Sequence, residues 1–90
     1  MIVRRKYTFY GKVQEVGFRY LTYQLANKFK VTGWVKNNDD GSVTACFQGK
    51  DYLIEIIINE LKLGRYINIT KLERKDLMVK IDENGFKMLN

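Results

Sequence analysis

Two short stretches carry residue types able to act on a phosphate group. The first is VQEVGFR, residues 13–19, between a strand-like run and a helix-like run. A loop entering a helix points unpaired backbone N–H groups outward. With the helix dipole behind them, such groups bind anions. Glu15, Val16, Gly17, Phe18 and Arg19 occupy that place. An arginine in a first helical turn opposes the dipole, and a bound dianion removes the conflict. Its planar guanidinium can grip phosphate through two parallel hydrogen bonds. The second stretch is GWVKNNDDG, residues 33–41, where Asn37 and Asn38 stand at a strand end before a turn. A carboxamide is no strong general base, but it can hold a water by hydrogen bonds. A purely structural reading is open at every one of these positions. Arg19 is then a solvent-facing helix residue, Gly17 a turn glycine, Asn37 and Asn38 ordinary turn residues, and Trp34 and Val35 sheet packing.

Other chemistries lack their parts. The chain has no histidine and one cysteine, Cys46. The usual zinc sites, thiolate pairs and histidine triads therefore have no residues to use. No internal disulfide can form, and a reducing compartment fits. With no base to activate it, Cys46 reads as a free or packed thiol. The net charge of +6 attracts anions without choosing among small phosphorylated compounds, nucleic acid and lipid. The Arg4–Lys6 charge run reads as a solvated face of a strand. The N-terminal residues lack the apolar stretch of a signal peptide. The run YLIEIIINELKLG is broken by Glu55 and Glu60 and is too short to span a bilayer. These features point to a soluble cytoplasmic protein of one domain, residues 1–90.

The elements that must position the two stretches follow from periodicity. Residues 2–10 alternate as a strand, with Tyr7 and Phe9 on one face and Lys6 and Thr8 on the other. Phe18, Leu21, Leu25 and Phe29, with Ala26, form one helical stripe, which predicts a helix over 19–30. Two strands, 32–37 and 42–48, flank NNDDG, whose Asp-Gly is a hairpin signal. Val43, Ala45 and Phe47 are expected in the core. Leu53, Ile54, Ile57, Ile58 and Leu61 predict a helix over 51–63, with Asp51 at its start and Gly64 just past its end. A strand competes there, because isoleucine is a poor helix former. Residues 66–74 read as a strand and GFKML as a short one, while the pattern leaves 75–84 open, an extension of the fourth strand into a hairpin being one reading. The order β-α-β-β-α-β predicts an α+β, ferredoxin-like sandwich: a four-stranded antiparallel sheet with two helices on one face. That fold hosts many functions and selects none.

YGKVQEVGFR at 10–19 and GWVKNNDDGSVTACFQG at 33–49 resemble the two signatures of the acylphosphatase family. Gly11, Val13, Gln14, Val16, Phe18 and Arg19 fall on the first pattern. Gly33, Trp34, Val35, Lys36, Asn37, Gly41, Val43 and Gly49 fall on the second. The resemblance implies hydrolysis of acyl phosphates to a carboxylate and inorganic phosphate, with no metal or organic cofactor. It implies that Arg19 binds phosphate together with the amides of residues 15–19, and that Asn37 orients the attacking water. A small-molecule substrate acting on a monomer is expected, with no nucleic acid and no membrane as partner. A carboxylate leaving group needs no acid to protonate it, so so spare a site suits the reaction.

Glu15 departs from the pattern, which has glycine there. A left-handed backbone at a non-glycine residue costs roughly 1–2 kcal/mol. A carboxylate about 8 Å from phosphate adds repulsion of about 2 kcal/mol per phosphate charge at an effective dielectric of about 20. Its backbone N–H stays available, and Arg4, Arg5, Lys6 and Lys12 are near enough in sequence to offset the charge. Weaker phosphate binding is the expectation. Two alternatives accompany the main reading. One is a weakly active or inactive phosphate-binding relative. The other is a basic ferredoxin-like nucleic-acid-binding module, against which GSVTACFQG lacks the aromatic third-strand consensus of RNA-recognition domains.

Overall fold

Apolar alternation in the strands and 3.6-residue stripes in the helices meet across one interface. The computed structural model describes all 90 residues, Met1–Asn90. In chain order the elements are β1 (Ile2–Lys12), α1 (Phe18–Lys28), β2 (Thr32–Asn37), β3 (Val43–Lys50), α2 (Asp51–Lys62), β4 (Asn68–Leu77) and β5 (Phe86–Met88). The sheet order is β4-β1-β3-β2-β5. Register places Tyr7 beside Ala45, Phe9 beside Val43, and Val35 beside Ala45, so these share one face. That face packs on Phe18, Leu25 and Ala26 of α1 and on Ile54, Ile57, Ile58 and Leu61 of α2. Val43, Ala45 and Phe47 are fully buried, as expected.

Both helices follow the stripes, with local exceptions. In α2 the buried isoleucines recur at helical spacing while Ile56 faces outward, which resolves the strand alternative. Asp51 lies in its first turn, and the Gly64 N–H donates to the Leu61 carbonyl at 3.1 Å. In α1, Thr22 is buried where Leu21 and Phe29 are only partly so. Its hydroxyl donates to the Phe18 carbonyl at 2.8 Å, which satisfies the polar atom.

The sheet has five strands and is mixed, which corrects the expectation of four antiparallel ones. β5 runs parallel to β2, pairing Gly33 with Phe86 and Val35 with Met88. β4 and β5 lie at opposite edges of the sheet, so residues 78–85 cross its face, on the side away from the helices, to join them, and they form no hairpin. Gln48 and Lys80 exchange two hydrogen bonds, side chain to backbone, at 2.8 and 2.7 Å. Glu83 accepts from Arg4 Nη1 and from Thr32 Oγ1, each at 2.8 Å. This cover buries Arg4 and Cys46, both on the polar parity of their strands. The Arg4–Lys6 run is therefore not the solvated face expected: Arg4 pairs with Glu83 and Arg5 with Glu55. At Gly33, with φ 138°, a Cβ would lie 1.8 Å from the Cys46 carbonyl oxygen, so only glycine fits. No helix is long and apolar enough to cross a membrane.

The latch at Glu83 has a pH consequence. Burial pushes its carboxyl upward, but hydrogen bonds from Arg4 and Thr32 outweigh this and hold it below its ordinary value. A carboxyl lowered by folding contributes stability above its unfolded value and loses that contribution as pH falls through its folded one. Glu83→Gln is expected to cost about 2 kcal/mol at pH 7, the scale of a hydrogen bond to a charged group. The gap to the parent should narrow on acidification below the carboxylate range. Urea midpoints at pH 7 and pH 3 check this; a gap that is absent at pH 7, or unchanged at pH 3, contradicts it.

Candidate active site

β1 ends in a bulge at Tyr10/Gly11 and hands the chain to a loop anchored at both ends. Val13 is buried before it, and Phe18 after it packs on Phe9 with ring centroids 4.8 Å apart and planes tilted by 59°. Between those anchors the backbone turns outward. Glu15 has φ 61° and Gly17, the N-terminal flank of α1, has φ 80°. Left-handed residues in such a turn splay successive N–H groups toward one point. The N–H groups of Glu15, Val16, Gly17, Phe18, Arg19 and Tyr20 donate to no backbone carbonyl. Nor does α1 carry a capping side chain or an acidic residue in its first turn. Its dipole is left for an external anion.

Arg19 stands in that turn, half-buried, and its Nη1 donates to the Leu89 carbonyl just past β5. The short parallel strand thereby fixes one end of the guanidinium. Asn37 closes β2, where it pairs with Val43 and shares the helix-side parity of Val35. Its N–H donates to the Asn90 carbonyl at 2.7 Å. Its neighbour Asn38 is spent on structure, donating to Ser42 Oγ at 2.9 Å and Thr44 Oγ1 at 2.7 Å. The Asn37 carboxamide has no partner in the chain. Of the two asparagines, Asn38 is thus the turn residue and Asn37 the one free to engage a ligand.

These groups share one cavity. A pocket of about 300 Å3 is lined by Val13, Glu15, Gly17, Phe18, Arg19, Tyr20, Asn37 and Met88. A wider cleft of about 760 Å3 adjoins it through Arg19, Asn37 and Met88 and extends over Lys36, Asp39 and Leu89. Among the residues singled out in the sequence, Glu15, Gly17, Phe18, Arg19 and Asn37 come together. Val16 offers its N–H, while its side chain packs against the core. Met88 and Leu89 were not foreseen, because nothing in a three-residue strand announces which neighbour it joins. Cys46 lies apart: burial pushes its thiol up and keeps it protonated. No three His, Cys, Asp or Glu side chains cluster to hold a metal ion.

Glu15 meets the site with its backbone. Its φ falls in the left-handed region, which accounts physically for a preference for glycine there. The side chain is exposed, and no basic side chain pairs with it. Arg4 and Arg5, expected to offset its charge, are committed to Glu83 and Glu55. Glu15→Gly is expected to tighten phosphate binding several-fold at low salt, because it removes a negative charge carried by the loop beside the pocket. The effect should shrink as salt screens it. Relief of the left-handed strain is opposed by the greater chain entropy of glycine, leaving stability within about 1 kcal/mol of the parent. Phosphate inhibition constants at about 0.02 M and 0.5 M salt test this, given a screening length that falls below roughly 5 Å over that range. Equal constants at low salt would show that the carboxylate points away from the anion.

Comparison with known proteins agrees with this geometry along nearly the whole chain. The acylphosphatase family model matches residues 5–88. An acylphosphatase of Geobacillus thermodenitrificans is 35% identical over 80 residues, covering 88% of this chain and 85% of the relative. One from Oceanobacillus iheyensis is 42% identical over 69 residues, covering 74% and 76%. The crystal structure of acylphosphatase from Bacillus subtilis aligns over 100% of both chains with TM-score 0.90 and 28% identity. That structural match extends through the second half of the chain, where the two signatures are silent. The loop of unpaired N–H groups, the free carboxamide that shares its pocket, the family match and the shared fold lead to one conclusion: this chain belongs to the acylphosphatase family.

Proposed function

We propose that this chain, in hydrolysing acyl phosphates, holds the transferred phosphoryl group with Arg19 and the N–H groups of residues 15–19, and aims the attacking water with Asn37. The activity is that of an acylphosphatase: the bond between a carboxyl oxygen and phosphorus is cleaved to a carboxylate and inorganic phosphate. The water oxygen bonds to phosphorus, the carboxylate departs with the electron pair of the broken bond, and the water gives up a proton. Little covalent work falls to the protein, so positioning and charge stabilisation dominate. Backbone amides and a guanidinium supply the charge stabilisation, and need no reorganisation as charge builds on the equatorial oxygens. The adjoining cleft has room for the acyl group. Every named group comes from one copy of the chain. In this reading it works as a cytoplasmic monomer on a small molecule, with no nucleic acid or membrane as partner and no cofactor.

The observation that carries the reading is the pocket that joins Arg19, the unpaired N–H groups and the unengaged Asn37 carboxamide. The test follows phosphate release from acetyl and benzoyl phosphate, with a phosphomonoester as control and with a chelator in a parallel series. Rapid release from the acyl phosphates alone, unaffected by the chelator, is expected. Equal rates on the monoester, or loss on chelation restored by one metal, would overturn it.

A further inference from the structure

The two halves of the site come from elements with no covalent continuity. The anion loop precedes α1, and Asn37 ends β2. One side chain spans them directly. Gln14 Nε2 donates to the Asn38 carbonyl at 2.7 Å and to the Ser42 carbonyl at 2.9 Å. Both protons of its amide are thereby used on the two carbonyls that flank the hairpin turn. Those carbonyls also close the turn itself: Ser42 accepts from the Asn38 N–H at 2.8 Å and Asn38 from the Gly41 N–H at 3.2 Å. Asp40 completes it, accepting from the Ser42 N–H and hydroxyl. The hairpin is thus a closed unit, and Gln14 grips it from the loop side.

The position of the link matters more than its strength. Gln14 immediately precedes Glu15, the first of the unpaired N–H groups, and Asn38 immediately follows Asn37. The clamp joins the residue before the anion cradle to the residue after the water holder. We infer that Gln14 is a positioning residue, setting the distance between the bound phosphoryl group and the water on Asn37 without touching either. This rests on the division of labour proposed above. Such a residue acts on turnover: the cradle is built within its own loop and keeps its affinity, whereas water held off line attacks slowly. A misplacement of about 1 Å can cost on the order of 100-fold in rate.

The test uses Gln14→Met, which keeps the length and loses both donors, and Gln14→Glu, which keeps the shape and loses them too. Each is measured in the parent and in the Asn37→Ala background, for turnover of benzoyl phosphate and for inhibition by inorganic phosphate. In the parent, either Gln14 variant should lower kcat by roughly 10- to 100-fold while the phosphate inhibition constant of Gln14→Met stays within about three-fold. In the Asn37→Ala background the same change should have almost no further effect, because its target is gone. Losses that multiply across the two sites, or a phosphate constant that worsens in step with kcat, would overturn the inference. If Gln14→Met does not fold, Gln14→Glu carries the same double-mutant comparison. If Asn37→Ala alone leaves turnover normal, the proposed division of labour fails; if it lowers turnover and the Gln14 variants do not, only the positioning role fails.

Discussion

Arg19→Ala is expected to abolish measurable hydrolysis of acyl phosphates and to remove most of the affinity for inorganic phosphate. The guanidinium is the sole cationic side chain lining the 300 Å3 pocket. Loss of a charge-assisted contact to a dianion, stronger still as charge spreads in the transition state, should cost about 2–4 kcal/mol or more. Arg19→Lys should recover only part, since an ammonium lacks the planar fork and cannot both grip phosphate in parallel and hold the Leu89 carbonyl. The fold should survive. Arg19 opposes the dipole of its own helix, so its removal relieves a conflict that offsets the lost bond to Leu89. Phosphate inhibition constants, kcat/KM and a melting curve for the three proteins check the set. A normal phosphate constant in Arg19→Ala would place the anion elsewhere.

Asn37→Ala should lower turnover by on the order of 100-fold while leaving phosphate affinity nearly intact. The two effects separate because the proposed mechanism gives anion binding to the loop amides and Arg19 and gives the carboxamide a water to hold. The contrast with Asn38 sharpens the expectation. Asn38→Ala removes the bonds to Ser42 and Thr44 and should show itself mainly as lost stability, of about 1–2 kcal/mol. Kinetics with benzoyl phosphate, set beside urea midpoints, distinguish the pair. Normal turnover in Asn37→Ala would remove its assigned role.

Much of this protein was legible in the one-dimensional pattern. The alternation of Tyr7 and Phe9 and of Val43, Ala45 and Phe47 declared two strands and their buried face. The spacing of Ile54, Ile57, Ile58 and Leu61 declared α2 despite its poor intrinsic propensity. These signals are local, because period-2 and period-3.6 burial are written into adjacent residues. The site was legible for a related reason: the loop and the strand end that build it lie within two short stretches, each beside the element that positions it.

What only the tertiary structure decided depends on contacts between residues far apart in sequence. The parallel β5 and its crossover carry no periodicity, yet they bury Arg4 and Cys46 and deliver the Leu89 carbonyl to Arg19. The resemblance pointed to Asn37, but the physical reason for Asn37 over Asn38, that the hairpin consumes the Asn38 carboxamide, exists only in the fold. Gln14 fell on the first signature with no role assigned to it until its amide met a turn 24 residues away. Glu15 needed its φ of 61° before the departure from glycine became a statement about backbone strain. Sequence patterns report which face of an element is buried; a hydrogen bond or an ion pair is satisfied by whichever partner the fold brings within about 3 Å, and that distance exists only in three dimensions.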